Sequence, residues 1–192
     1  MKGIVYLKNK LDKKRNRVLL RYKYYEQKVD VIDLDISTPN GMRWFDCVNG
    51  WCSKAVDNLA DRLQFDRWDN DNFNFQSMYD QNNPDILYDD CMLSALISAC
   101  AFVLVTRGEK NDLGQRIRFQ VVDGGNATGV IDDYTKLLTE GYAVLDRDDN
   151  GKPTMWAYCT PGRTEIYVEG KREPIAVETF KCNYCALVPV IY

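Results

Sequence analysis

Apolar positions along Met42–Trp68 follow a three-then-four rhythm: Trp44, Cys47/Val48, Trp51/Cys52, Ala55/Val56, Leu59/Ala60 and Leu63. That spacing predicts a helix with one wide buried face. Asp46, Asn49, Ser53, Asp57, Asn58 and Asp61 fall mostly on the other face. Turn residues bracket it, with Ser37-Thr38-Pro39-Asn40-Gly41 before and an Asp/Asn-rich run after Trp68. A central helix over 42–64 is therefore expected, with Trp44, Trp51, Val56, Leu59 and Leu63 as structural core, since two tryptophans carry large contact area.

The same reading extends along the chain. Leu11, Val18, Tyr22, Tyr25 and Val29 predict a basic helix over 8–29. The polar stretch 65–83 holds Phe73, Phe75, Met78 and Tyr79, a spacing that suits a loop clamped to the body by its aromatics. Asn82-Asn83-Pro84-Asp85 marks a helix start, with Asn as N-cap, Pro in the first turn and acids at the positive end of the dipole. That helix runs over 84–100, and β-branched residues in Phe102–Thr106 then predict a buried strand over 102–106. Beyond it the pattern alternates. Arg116–Val122 reads as a strand, Gly141–Asp146 and Thr154–Thr160 flank Asp148-Asp149-Asn150-Gly151, and Arg163–Val168 and Ile175–Phe180 flank Glu169-Gly170-Lys171. Both pairs are hairpin signals. Asp132–Thr139 is compatible with a short helix or a loop.

The expected class is α+β, with N-terminal helices packed on a mostly antiparallel β-meander. A helical part spans 1–106 and a β-rich part spans 107–192, as one continuous domain. The 192 residues suffice for one domain with a real core.

Charge changes the picture more than composition does. Residues 1–30 carry ten Lys/Arg and three acids, a net of +7, and the rest carries fifteen against twenty-five, a net of −10. Such a leading segment binds a nucleic-acid backbone or the acidic surface of a neighbouring copy, or is simply a solvated helix face. The longest apolar run, Cys91–Val105, has fifteen residues and two serines, short of a bilayer span. No secretory pattern precedes the lysines, so the seven cysteines are expected as free thiols in a reducing compartment.

Chemistry is sparse. With no histidine, the commonest general base and metal ligand is missing, and no Ser/His/Asp or Cys/His arrangement can form. Cys182-Asn-Tyr-Cys185 has the spacing of a zinc or redox pair, but a structural zinc site needs four ligands and a redox pair needs a helix N-terminus. Gly124-Gly125-Asn126-Ala127-Thr128-Gly129 lacks both the Lys-Ser/Thr ending of a P-loop and dinucleotide spacing, and reads as a turn. The acid pairs Asp89-Asp90 and Asp148-Asp149 are explained by a helix start and a hairpin loop. No enzyme and no cofactor are expected.

Four features in order give the chain a family likeness: Tyr24-Tyr25 closing a basic helix; Val48-Asn49-Gly50-Trp51 through Val56-Asp57 to Arg62-Leu63; the Asp90–Val105 helix-into-strand; and Val122-Asp-Gly-Gly-Asn-Ala-Thr-Gly, Asp133, Leu145, Tyr158-Cys-Thr-Pro161 and Leu187-Val-Pro-Val-Ile. In this order they resemble the N-terminal part of tailed-bacteriophage portal proteins. The chain departs from the pattern at Cys100-Ala101, where the family often has a glycine before its aromatic-Val stretch.

The resemblance implies a wing fragment without stem and clip, and the apolar ending Leu187–Tyr192 is read as a cut at that point. It implies a structural, non-catalytic subunit of a ring, commonly of twelve copies, at the capsid portal vertex of the virion after assembly in host cytoplasm. Its partners would be other portal subunits, terminase, capsid and head-tail adaptor proteins, and double-stranded DNA passing without sequence specificity; no membrane is involved. Such a ring needs two complementary faces per subunit. The expected subunit contact is Lys13, Lys14, Arg15 and Arg17 against acids among Asp66–Asp90. Two other readings stand beside this one. A small cytosolic CxxC protein binding metal or doing thiol chemistry through Cys182 and Cys185 would show bound metal or a shifted thiol. A generic α+β interaction module would lack terminase and capsid genes as neighbours.

Overall fold

A computed structural model of the chain describes residues 2–28, 50–69, 71, 74–107 and 117–179, and the backbone of 187–191. Four helices are described, α1 (Ile4–Tyr25), α2 (Trp51–Ala60), α3 (Phe75–Asp80) and α4 (Pro84–Ser98). Eight strands accompany them: β1 (Cys100–Arg107), β2 (Ile117–Asp123), β3 (Ala127–Ile131), β4 (Leu138–Arg147), β5 (Pro153–Thr160), β6 (Arg163–Val168), β7 (Ala176–Thr179) and β8 (Leu187–Ile191). The strands form two antiparallel sheets, one ordered β2-β1-β8 and the other a meander β3-β4-β5-β6-β7. The fold is α+β, with N-terminal helices and a β-meander.

Alternation along the strands sets the layering, because successive side chains point to opposite faces. Phe102, Leu104 and Val122 of the first sheet meet Ala127, Leu138, Ala143, Ala157 and Cys159 of the second. The small residues in that set let the two sheets approach closely. On the far side of the second sheet, Tyr142 and Val144 receive Leu7 and Leu11 of α1. On the far side of the first, Ala101, with Val103 and Val121, receives Cys91 and Ala95 of α4.

Helix α1 starts at Ile4, earlier than the expected residue 8, because Leu7, Leu11 and Val18 form its one buried stripe. Its 22 residues span about 33 Å, so the first half lies on the meander and the second reaches α4. No side chain of its own caps the start. Glu140 of β4 supplies the anion instead, accepting hydrogen bonds from the backbone N–H of Lys2 (2.5 Å) and Gly3 (2.8 Å).

The central helix needs correction. The described helix is Trp51–Ala60, and residues 42–49 with Trp44 lie outside the described residues. None of its residues is buried: Trp51 is 78% exposed and Leu59 48%, while Val56 and Leu63 are half-buried. Periodicity identified an amphipathic helix correctly, but the core forms between and outside the two sheets. Trp51 and Leu59 are surface residues.

An aromatic clamp forms in 65–83, but of the residues expected for it Phe75 and Tyr79 take part, joined by Phe65 and Trp68, and Phe73 lies outside the described residues. Phe65, Trp68, Phe75 and Tyr79 pack with centroids 4.7–5.7 Å apart, and Phe75 reaches Phe119 of β2 at 5.6 Å. Asn83 occupies the N-cap of α4 with Pro84 in the first turn, but no side-chain cap bond forms. Its neighbour Asn82 pins the loop to β2 instead, donating to the Ile117 carbonyl (3.0 Å) and accepting from the Phe119 N–H (3.2 Å). The chain leaves α4 through Ala99 at φ +66° and enters β1 one residue later. Both expected hairpins form, closed by Gly151 and Gly170 at positive φ. Residues 133–135 are a turn held by the Asp132 carboxylate, so the helix option for 132–139 falls away. Among the described residues, the apolar segment 187–191 is the outer strand beside β1, with Pro189 opposite Phe102.

Candidate functional site

Helix α1 distributes its cations between two sides, which residue order alone does not reveal. Lys10, Lys14 and Arg21 turn toward the body. The Lys10 ammonium donates to the Gly129 carbonyl at 2.7 Å. Arg21 donates to the Ser98 carbonyl at 2.9 Å, at the negative end of the α4 dipole. The Lys14 ammonium lies 3.7 Å from the Cys100 sulfur and 5.5 Å from the Phe102 ring centroid. Burial pulls the Lys14 pKa down; Cys100 and Asp123 oppose this and Lys10 adds to it.

Arg15 also turns inward, toward the hairpin between β4 and β5. One of its terminal nitrogens lies 3.8 Å from where a Cβ on Gly151 would stand. Arg147, at the end of β4, reaches the same residue, donating from Nη1 to the Gly151 carbonyl at 2.8 Å. Its Nε donates to the Asn126 side-chain carbonyl at 2.9 Å. Asn126 passes the connection on, donating from Nδ2 to Asp123 at 2.8 Å. Asp123 also accepts the N–H groups of Gly125 (2.5 Å) and Asn126 (3.1 Å). The Gly-rich turn is thus a concave backbone donor site filled by the chain's own carboxylate. A polar seam runs from the β4–β5 hairpin through the Gly-rich turn to the first sheet, with Arg15 of α1 beside it.

The seam is unevenly satisfied. Arg15 Nε and Arg147 Nη2 are both buried without an acceptor. Burial, then the charge of Arg15, pulls the Arg147 pKa below its ordinary value, with Tyr142, Asp123 and Asp12 opposing.

The outer side of α1 presents Lys13, Arg17 and Lys23 with Leu19, Leu20 and Tyr24, all exposed. Of the four residues expected at a subunit contact, Lys13 and Arg17 face solvent, whereas Lys14 and Arg15 are half-buried, Lys14 against Cys100 and Arg15 beside the β4–β5 hairpin. The stretch 61–90 presents the opposite charge: Asp61, Asp66, Asp69, Asp80, Asp85, Asp89 and Asp90 are exposed, beside exposed Trp68 and Ile86.

Cys182 and Cys185 lie outside the described residues. Cys52 is exposed, and Cys91 and Cys159 are buried. Burial pushes both buried thiols up, Cys159 to about 11. Among the described residues no three His, Cys, Asp or Glu side chains converge on a metal position, and no helix is long and apolar enough to cross a membrane. Sequence reasoning missed Arg147, Asn126 and Glu140. Arg147 stands just before the hairpin signal and Asn126 within the Gly-rich turn, but nothing in either motif indicates that α1 arrives there.

Compared with known protein families and with curated proteins, the chain matches no family model and no curated protein.

Proposed function

We propose that this chain is the wing portion of a portal-type structural subunit, assembling head-to-tail with copies of itself into a ring that passes double-stranded DNA. The observation that carries the reading is a pair of surfaces of opposite charge on one subunit. The basic one, on α1, sets Lys13, Arg17 and Lys23 among Leu19, Leu20 and Tyr24. The acidic one sets Asp85, Asp89 and Asp90 beside Ile86 on α4, with Asp66, Asp69 and Trp68 preceding it. Each mixes charge with exposed apolar area, as interface cores and rims do. A heterologous ring needs two such different surfaces, which meet only between neighbours. The ordered motifs from Tyr24-Tyr25 to Leu187-Val-Pro-Val-Ile supply the family prior.

Electron microscopy of the product of the whole reading frame tests the reading. Rings with a channel wide enough for duplex DNA are expected, and a monodisperse monomer overturns it. Charge reversal at Lys13 and Arg17 is expected to break the ring, and reversal at Asp85 and Asp89 in the same chain to restore it.

A further inference from the structure

The turn between β3 and β4 holds out a ring that its own chain does not receive. Tyr134 is 97% exposed, the highest value of any large apolar or aromatic side chain among the described residues. Its backbone is pinned all the same. The Asp132 N–H donates to the Leu137 carbonyl, and the Asp132 carbonyl accepts from the Lys136 N–H, both at 2.9 Å. The Asp132 carboxylate accepts from the Tyr134 N–H at 3.3 Å and from the Thr135 hydroxyl at 2.8 Å. A tyrosine on a fixed turn suits an interface anchor, since it brings a large contact area for little lost freedom.

A hole of matching size lies elsewhere on the same chain. Between α1 and the start of β5 is an open cavity of about 160 Å3, walled by Ile4, Val5, Tyr142, Pro153 and Trp156. An apolar cavity of about 150 Å3 holds one benzene ring, so this one has room for a single phenol ring. Its rim carries Lys8, and Lys152 paired with Glu169. The Lys8 ammonium is exposed and has no acceptor among the described residues. Asp133, next to Tyr134, is exposed and equally without a partner there.

We propose that Tyr134 of one copy seats in this cavity on a second copy, with Asp133 against Lys8. The ring fills the volume against apolar walls, and its hydroxyl stays at the open mouth, within the polar rim. The two unmet charges that meet there are of opposite sign. Knob and hole are different surfaces, so the contact is head-to-tail, each copy giving one and receiving one. One ring buries about 150–250 Å2, far below the roughly 1,200 Å2 of a stable interface, so the contact by itself is weak and reversible. It needs a second copy and neither a closed ring nor DNA, and so does not rest on the ring reading.

Self-association of the whole chain, followed by sedimentation up to about 1 mM, tests the proposal. Concentration-dependent association is expected, and Tyr134→Ala should weaken it about tenfold or more while keeping the wild-type unfolding midpoint. Lys8→Asp should weaken it too, and Lys8→Asp with Asp133→Lys in one chain should restore it. Val5→Trp, which fills the hole from its rim, should be monomeric alone, as Tyr134→Ala should. Mixed together, the two variants should pair one to one, because one keeps the hole and the other the knob. A wild-type chain that stays monomeric, association unchanged in Tyr134→Ala, or a mixture that does not pair overturns the proposal.

Discussion

Replacing Glu140 by Gln tests how α1 is fastened. Glu140 is 2% exposed, and its carboxylate accepts from the N–H of Lys2 at 2.5 Å, the N–H of Gly3 at 2.8 Å and the Tyr158 hydroxyl at 2.9 Å. Burial alone would raise its pKa; the bonds from Gly3, Lys2 and then Tyr158 outweigh that and hold it below the ordinary value. Glutamine keeps one acceptor oxygen and turns an NH2 toward donors that have nothing to receive it. Hydrogen bonds to a charged group contribute about 1.5–3 kcal/mol each, and a buried donor left unmet costs about 1–3 kcal/mol. One donor is retained on a weaker acceptor, so E140Q should lose about 3 kcal/mol at pH 7. For a chain of this size that lowers Tm by about 6–12 °C. The pH signature follows from the depressed carboxyl. Its contribution is fully present above the unfolded-state pKa and is lost as pH falls through the lower folded value. The gap between wild type and E140Q in urea unfolding should therefore hold from pH 7 to about 5 and close below about 4. A loss under about 0.5 kcal/mol, or a gap of the same size at every pH, refutes the reasoning.

Three further outcomes are expected. Lys14→Met should match or exceed wild-type stability at pH 7, by up to about 1 kcal/mol, because a buried cation is replaced by an apolar chain of similar length. Below the lowered folded pKa both folded and unfolded Lys14 are charged, and wild type gains stability as pH rises from that value to the unfolded one. The gap should thus shrink in alkali, and a variant less stable by more than about 1 kcal/mol would show the Cys100 and Phe102 contacts to dominate. Leu11→Ala should cost about 2–5 kcal/mol and Trp51→Ser under about 1, read as urea midpoints; the reverse order would restore the central helix as the core. Thiol titration with an aromatic disulfide at pH 8 should modify Cys52 quickly, with Cys91 and Cys159 reacting only on unfolding, and rapid reaction of Cys159 would contradict its burial and raised pKa.

How much of this was legible depended on whether the signal was local. The hairpins were readable because Asp148–Gly151 and Glu169–Lys171 encode their own turn geometry, with glycine at the positive-φ position. Helix α4 was readable for the same reason, through Asn83, Pro84 and Asp85. The role of the 42–64 region was not. A period of 3.6 states that a helix has an apolar face, and only the tertiary arrangement states how much of it is covered. Trp51 carries the strongest apolar signal in the described helix and is 78% exposed. Glu140 was hidden for the converse reason. A glutamate in a strand gives no sign that the start of a helix 137 residues earlier will dock on it.

The inward turn of Lys14 and Arg15 changes what charge reversal can measure. Taken as one basic cluster, Lys13 to Arg17 would be reversed together, and lost assembly would be assigned to a broken subunit contact. Lys14 sits against Cys100 and Phe102, and Arg15 against the β4–β5 hairpin, so an acid at either place buries a charge beside apolar or acidic neighbours. Breaking a buried charged contact from one side costs about 3–5 kcal/mol, a large share of the roughly 5–15 kcal/mol that keeps an ordinary domain folded. Lys13 and Arg17 are exposed, and their reversal should change stability by less than about 0.5 kcal/mol. The two pairs must therefore be reversed separately, with unfolding midpoint and sedimentation both measured. K13E/R17E should keep the wild-type midpoint and lose association, whereas K14E/R15E should lose the midpoint first. If K13E/R17E assembles as wild type does, the α1 surface is no subunit contact, and the ring proposal loses the observation on which it stands.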